Sequence, residues 1–192
     1  MKILLHVCCG PCSIHPIRML RDGGMTVTGF FYNPNIHPFR EFERRIEAME
    51  SVSRHFDLPM VWHEGGYRPF DWFEAVGPDP SRADRCVHCY RLRLGKAARK
   101  AADLGMTGYT TTLLSSPYQR HELIRAVGEE LAASQGIRFY SLDFRTGWAE
   151  GAAASRKMGI YMQPYCGCLF SEAERYAKRA DRLRERLASS AP

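Results

Sequence analysis

The sequence predicts an α/β fold, a mostly parallel sheet with helices on both faces. Two observations carry this. Five short stretches rich in apolar and β-branched residues alternate with longer amphipathic ones, the pattern of repeated strand–helix crossovers. The first of them, Ile3, Leu4, Leu5 and Val7, runs straight into a Cys-Cys-Gly-Pro-Cys turn and then a helical pattern. A buried strand that ends in a tight turn and feeds a helix is how an open sheet presents functional groups. No second core is evident in the 192 residues, so residues 1–192 are expected to form one domain.

Taken in order, the first helix is expected from about Ser13 and the second strand over Met25 to Tyr32, after the Gly23-Gly24 break. Asn33-Pro34-Asn35-Ile36-His37-Pro38 is too rich in Pro and Asn to be helical. Phe39 to Phe56 is amphipathic, with Phe42, Ile46, Met49 and Val52 at helical spacing. A short strand follows at Pro59 to His63, and Trp72-Phe73 reads as a short helix packed on the core. Gly77-Pro78-Asp79-Pro80-Ser81 is a loop leading to Arg85-Cys86-Val87-His88-Cys89-Tyr90, with a basic helix over Arg91 to Leu104. Tyr109 to Leu114 is the β-branched fourth strand. A helix is expected from about Tyr118 to Ser134, a fifth strand over Ile137 to Phe144 and an Ala-rich helix over Trp148 to Met158. The last element, residues 169–188, is a basic helix whose alternating charges read as a solvated, salt-bridged surface.

Composition narrows the class. A formal net charge of +6 is compatible with a polyanionic partner such as RNA and equally with an ordinary enzyme. No apolar run reaches membrane-spanning length, and the N-terminus lacks the segment of a secretory signal, so a cytoplasmic protein without membrane contact is expected. The seven cysteines are odd in number, which argues against a disulfide framework. All seven fall in three clusters, Cys8/Cys9/Cys12, Cys86/Cys89 and Cys166/Cys168, and none is scattered as a core hydrophobe. That clustering reads as metal ligation. An iron–sulfur cluster wants three or four thiolates, a structural zinc four and a redox dithiol two, and spacing alone leaves all three open.

Five segments, HVCCGPCS, FFYNPNIHP, RCVHCYRLRL, YTTTLLSSP and IYMQPYCGCLFS, in that order and spacing, resemble the epoxyqueuosine reductases of the QueH type. The resemblance runs from about Ile3 to Ser171. It implies a Rossmann-like fold of the adenine-nucleotide-hydrolase (HUP) kind, with cysteines where relatives keep a phosphate-gripping loop. It implies reduction of the epoxide of epoxyqueuosine to the alkene of queuosine, on the wobble base of tRNAs for Asp, Asn, His and Tyr. A 4Fe-4S cluster with an additional mononuclear iron is implied, without cobalamin. Carried over by motif, the metal ligands are Cys8, Cys9, Cys12, Cys86, Cys89, Cys166 and Cys168. The expected cluster ligands are Cys9, Cys86, Cys89, Cys166 and Cys168. Some relatives have Asp where this chain has Cys12, which makes Cys12 the candidate for the additional iron.

Removing an epoxide oxygen consumes two electrons and two protons and releases water, so an electron donor and a proton source are needed. Tyr165, Tyr161 and His88 are the candidate acids beside the cysteine motifs. His6, between Leu5 and Val7, reads instead as an interior histidine. Asn33, Asn35 and His37, with Ser115 and Ser116, end strands on the expected rim and are candidate substrate contacts, although Asn-Pro-Asn and Ser-Ser-Pro are also ordinary turn chemistry. RNA contacts are expected from basic residues around that rim, among Arg18, Arg21, Arg40, Arg44, Arg45, Arg85, Arg91, Arg93, Lys96 and Arg120, and base stacking from Trp72, Phe73 or Trp148. Two alternatives remain, an iron–sulfur tRNA thiolation enzyme and a zinc-stabilised RNA-binding module. The first lacks its nucleotide-binding loop after the first strand, where CCGPCS stands. The second leaves three cysteines unused.

Overall fold

Strand β1 (Lys2–His6) is buried from Ile3 onward, and its continuous apolar run is what a strand covered on both faces requires. In the computed structural model, which describes residues 1–77 and 82–189, β1 lies at the centre of a five-stranded sheet. Its companions are β2 (Thr26–Phe31), β3 (Met60–Trp62), β4 (Gly108–Thr111) and β5 (Arg138–Phe139), in the order β3-β2-β1-β4-β5. Every pairing is parallel, as the alternating pattern predicts. Among the described residues seven helices flank the sheet: α1 (Gly10–Asp22), α2 (Phe39–His55), α3 (Pro69–Val76), α4 (Arg82–Asp103), α5 (His121–Ser134), α6 (Trp148–Lys157) and α7 (Leu169–Ser189). The strand order reverses between β1 and β4, so a crevice opens at their carboxyl ends. Among the described residues no helix is long and apolar enough to cross a membrane.

Several boundaries differ from expectation, each with a local cause. Helix α1 begins at Gly10 rather than Ser13, with extended Cys9 as its N-cap and Pro11 in its first turn. Cys12 is therefore helical. Helix α4 begins at Arg82, so Cys86 and Cys89 stand three residues apart on one helical face instead of in a loop. Of the expected loop from Gly77 to Ser81, residues 78–81 lie outside the described residues. Strand β4 stops at Thr111, whose Oγ1 accepts the Leu113 N–H at 3.2 Å and starts a 3-10 turn over Thr112–Ser115. Strand β5 shrinks to two residues, because the Tyr140 carbonyl is taken by the Thr110 hydroxyl at 2.7 Å and by Leu142 N–H at 3.1 Å. Helix α7 is basic as expected and carries no buried residue.

Candidate metal centre and substrate cleft

Cys8 and Cys9 follow β1 directly, and Cys12 sits in the first turn of α1. Their three sulfurs lie within 4.8 Å of one another and all three residues are buried. The group stands at the β1/β4 switch point. Thr112, just past β4, accepts the Cys8 N–H at 3.1 Å and lies 3.2 Å from its sulfur. Gln163 Nε2 approaches from the far end of the chain, 2.8 Å from Cys9 Sγ and 3.4 Å from Cys12 Sγ. Hydrogen bonds from the Cys12 and Cys9 thiols, then the Arg93 charge, hold Cys8 well below the usual thiol range. Burial pushes Cys9 up, and the bond to Cys8 pushes Cys12 up.

The α1 turn is held by specific contacts. A Cβ on Gly10 would stand 2.6 Å from the Ala48 carbonyl oxygen, so α2 packs there only against glycine. Pro16 has no N–H for the Cys12 carbonyl four residues back. The Ser115 hydroxyl donates to that carbonyl instead, at 2.9 Å.

The other four cysteines gather beside this group. Cys168 packs with Trp72 and Val76 of α3, and Cys89 packs against the same cluster. Cys166 and Cys168 have sulfurs 3.8 Å apart. The Cys168 thiol, and Ser171 Oγ at 3.0 Å from Cys166 Sγ, hold the Cys166 thiol down at about 5. Burial pushes Cys89 up. The Cys166–Cys168 turn is seated by the Asn33–His37 loop and by α2. The Gly167 carbonyl and the Leu169 N–H are both held by His37, whose N–H donates to Gly167 O at 3.0 Å and whose Nδ1 accepts Leu169 N–H at 3.2 Å. Arg45, buried against Glu41 at 2.7 Å, donates to the carbonyls of Tyr165 at 2.9 Å and Cys166 at 3.0 Å. Gly167 has φ +125°, and a Cβ there would meet Ile36, Asn35 and Arg45 within 3.3 Å.

All three cysteine clusters open onto one cavity of about 410 Å³, lined by Cys8, Cys12, Cys86, Cys166 and Cys168. Arg45, Arg85, Arg120 and Arg175 line it too, and so do Tyr118 and Trp148.

The family model described as epoxyqueuosine reductase QueH matches residues 3–174. The chain belongs to the QueH family. It is 37% identical over 190 residues to the epoxyqueuosine reductase QueH of Thermotoga maritima, covering 96% of this chain and 97% of that one. The protein of that name from Dehalococcoides mccartyi is 34% identical over 177 residues, covering 92% and 96%. The one from Histophilus somni is 31% identical, covering 88% and 72%.

Against QueH membership, the donor set meets a direct chemical check. Sulfurs about 2.3 Å from one tetrahedral ion stand roughly 3.8 Å apart, which the Cys8/Cys9/Cys12 group can satisfy within its 4.8 Å limit. Four further thiols match the ligand count of a four-iron cluster. Buried Arg45 and Arg93 offset the negative charge that thiolates bring, Arg93 reaching Cys89 Sγ at 4.0 Å. The residues fit a thiolate-held metal group. The structure sets Cys9 with Cys8 and Cys12 rather than with the other four.

The remaining expected site residues fall in distinct places. Tyr165 lines the cavity, with its hydroxyl donating to the His37 carbonyl at 2.9 Å. The Tyr161 hydroxyl donates to Glu41 at 2.5 Å, and burial, helped by Glu41, pushes it up to about 12. His88 is exposed on α4, outside the cavity lining. His6 is interior as expected, bonded to Thr111 Oγ1 at 2.8 Å and the Tyr32 carbonyl at 3.2 Å, and burial holds it down at about 3. Asn33 is buried, donating to Val7 O at 2.9 Å and accepting from Arg93 at 2.6 Å. Asn35 is buried with neither amide atom partnered, and His37 stacks on Phe73. Ser115 is interior, whereas Ser116 lines the cavity. Of the expected RNA contacts, Arg45, Arg85 and Arg93 are buried: Arg45 holds the Tyr165 and Cys166 carbonyls, Arg85 pairs with Glu174, and Arg93 reaches Asn33 and Cys89. Trp72 is buried as a core residue. Gln163, Thr112 and Tyr118 were not singled out by sequence. Gln163 stands inside the YMQPYCGC segment, and that position was its one available signal.

Proposed function

We propose that this protein is an epoxyqueuosine reductase that removes the epoxide oxygen of the wobble base in tRNAs for Asp, Asn, His and Tyr, in the cytoplasm and with electrons from an external donor. The observation that supports this most is the convergence of all three cysteine clusters on one cavity in a QueH-family chain. In this reading Cys86, Cys89, Cys166 and Cys168 hold a 4Fe-4S cluster, and Cys8, Cys9 and Cys12 hold an additional iron. When bound, such a group supplies electrons one at a time and a Lewis acid for an oxygen atom.

The chain's own residues supply the rest. The cavity is large enough to take a splayed nucleobase out of water. Arg120 and Arg175 at its wall suit the phosphates of an anticodon loop. Of Tyr165, Tyr161 and His88, only Tyr165 lines the cavity. Burial pushes its pKa up, so its hydroxyl keeps a proton at neutral pH for delivery to the departing oxygen. Ser116, which lines the cavity, is in this reading a hydrogen-bonding partner of the substrate. Asn33, Asn35 and His37 act through the loop that seats Cys166 and Cys168.

Anaerobic protein assayed for iron, sulfide and zinc, then for turnover of epoxyqueuosine tRNA, tests the reading. Iron in excess of sulfide with conversion to queuosine is expected. Cys12→Ser should lose the excess iron and keep sulfide, whereas Cys89→Ser should lose sulfide and brown colour. Colourless protein with one zinc and no cluster after reconstitution would sink the proposal.

A further inference from the structure

Two aromatic side chains at the cavity wall stand exposed to solvent. Tyr118 is 76% exposed and Trp148 37% exposed, although burying such rings is what normally stabilises a fold. Both line the cavity that also holds Cys8 and Cys12. Their ring centroids are 6.4 Å apart at 83°, so one ring turns its edge to the other. The two cannot sandwich a single flat group between parallel faces. Together they form an open corner, a floor and a side wall.

The corner lies next to the thiols. Trp148 shares a small surface pocket with Pro11, Met162 and Gln163, and Gln163 is the residue that reaches Cys9 and Cys12. Its backbone is held in place. Gly147, just before it, packs so closely on the His15 ring that a Cβ would overlap it, and α6 begins at Trp148 itself. A rigid ring loses little conformational freedom when a ligand stacks on it.

Resting on the proposed function, we infer that Tyr118 and Trp148 form a nucleobase subsite, with the purine-like ring of the wobble nucleotide stacked on Trp148 and edged by Tyr118. The occupant is a single-stranded base of an anticodon loop. Its ring rests at the wall while the substituent to be reduced points inward to the thiols. Arg120, two residues beyond Tyr118 and lining the same cavity, stands where the backbone of such a loop would pass. Stacking of this kind is tolerant of base identity, so the subsite holds the substrate, and the reaction's selectivity comes from the substituent at the cavity floor.

The test is anaerobic binding of holoprotein to a fluorescein-labelled anticodon stem-loop, read by anisotropy, with an identical stem-loop abasic at the wobble position. Trp148→Ala should weaken binding of the intact loop by about 5- to 150-fold, the range of one base–aromatic stack. Trp148→Phe should restore most of it. Tyr118→Ala should weaken binding by a smaller factor, and its high exposure makes it a variant that folds even where Trp148→Ala does not. On the abasic loop both alanine variants should bind like the parent. Equal losses on the intact and abasic loops, or intact-loop binding unchanged in both variants, would overturn the subsite while leaving the proposed reaction standing. Failure of the unsubstituted protein to bind the intact loop better than an unrelated hairpin would overturn the reaction, and the subsite with it.

Discussion

Pro16 and Ser115 are joined by a single carbonyl. Proline removes the helical donor for Cys12 O, and a hydroxyl from the 3-10 turn after β4 replaces it. Ser115→Ala should therefore leave a buried carbonyl unsatisfied and cost about 1–3 kcal/mol in urea unfolding. In a Pro16→Ala background the new N–H can take the same carbonyl, so the cost of Ser115→Ala should shrink. Equal costs in both backgrounds would show that the serine does something else. Nothing in the sequence pairs these two positions, because the bond depends on sheet order rather than on spacing. The same holds for Gln163, which reads as loop filler until the fold brings it to Cys9.

Helix α2 shows how an element can serve a site it does not contain. Its buried Arg45–Glu41 pair sits one turn apart, and the arginine's outer nitrogens hold the carbonyls of Tyr165 and Cys166. Arg45→Met should unfold the protein about 3–5 kcal/mol more easily, because Glu41 is left charged in the interior without its cation and with only the Tyr161 hydroxyl for a partner. The Arg54–Glu50 pair, farther along the same helix at 4.0 Å and well exposed, provides the comparison. Arg54→Ala should cost no more than about 1 kcal/mol. A similar loss for both would contradict the clamp. The amphipathic pattern of α2 was legible because its apolar residues recur at helical spacing. Its function was not, since a buried arginine looks like any surface arginine in a sequence. Helix α4 was misplaced at its start for a related reason: residues 82–90 carry turn-like neighbours and no apolar period, so the helical placement of Cys86 and Cys89 had no local signature.

The parallel sheet and the meeting of distant cysteines followed from the alternation of strands and helices, since right-handed crossovers send successive strand ends to one edge. That architecture also buries neutral histidines. His6 is held at about 3 by burial, then by the charge of Arg93, against 6.5 for an ordinary histidine. Burial holds His37 at about 4. Below pH 6.5 the unfolded chain binds protons that the folded protein does not. Stability should therefore fall as pH drops from 6.5 towards 3, by about 1.4 kcal/mol per pH unit from His6 alone once below 6.5. Urea midpoints at pH 7, 6 and 5, at constant metal load, should decline in that order. A midpoint unchanged from pH 7 to 5 would mean that the interior accepts the charge.

The spread of the thiols along the chain also has a consequence in time. Cys8 is synthesised about 160 residues before Cys168, an interval of roughly 10–30 s at bacterial-scale elongation rates of about 5–20 residues per second. Strand β4, ending at Thr111, is made partway through that interval, whereas the Cys166–Cys168 turn across the cavity comes only at its end. The complete set of sulfurs exists only once Cys168 has been made, so the Cys166–Cys168 turn is the last of the three cysteine clusters to reach the cavity.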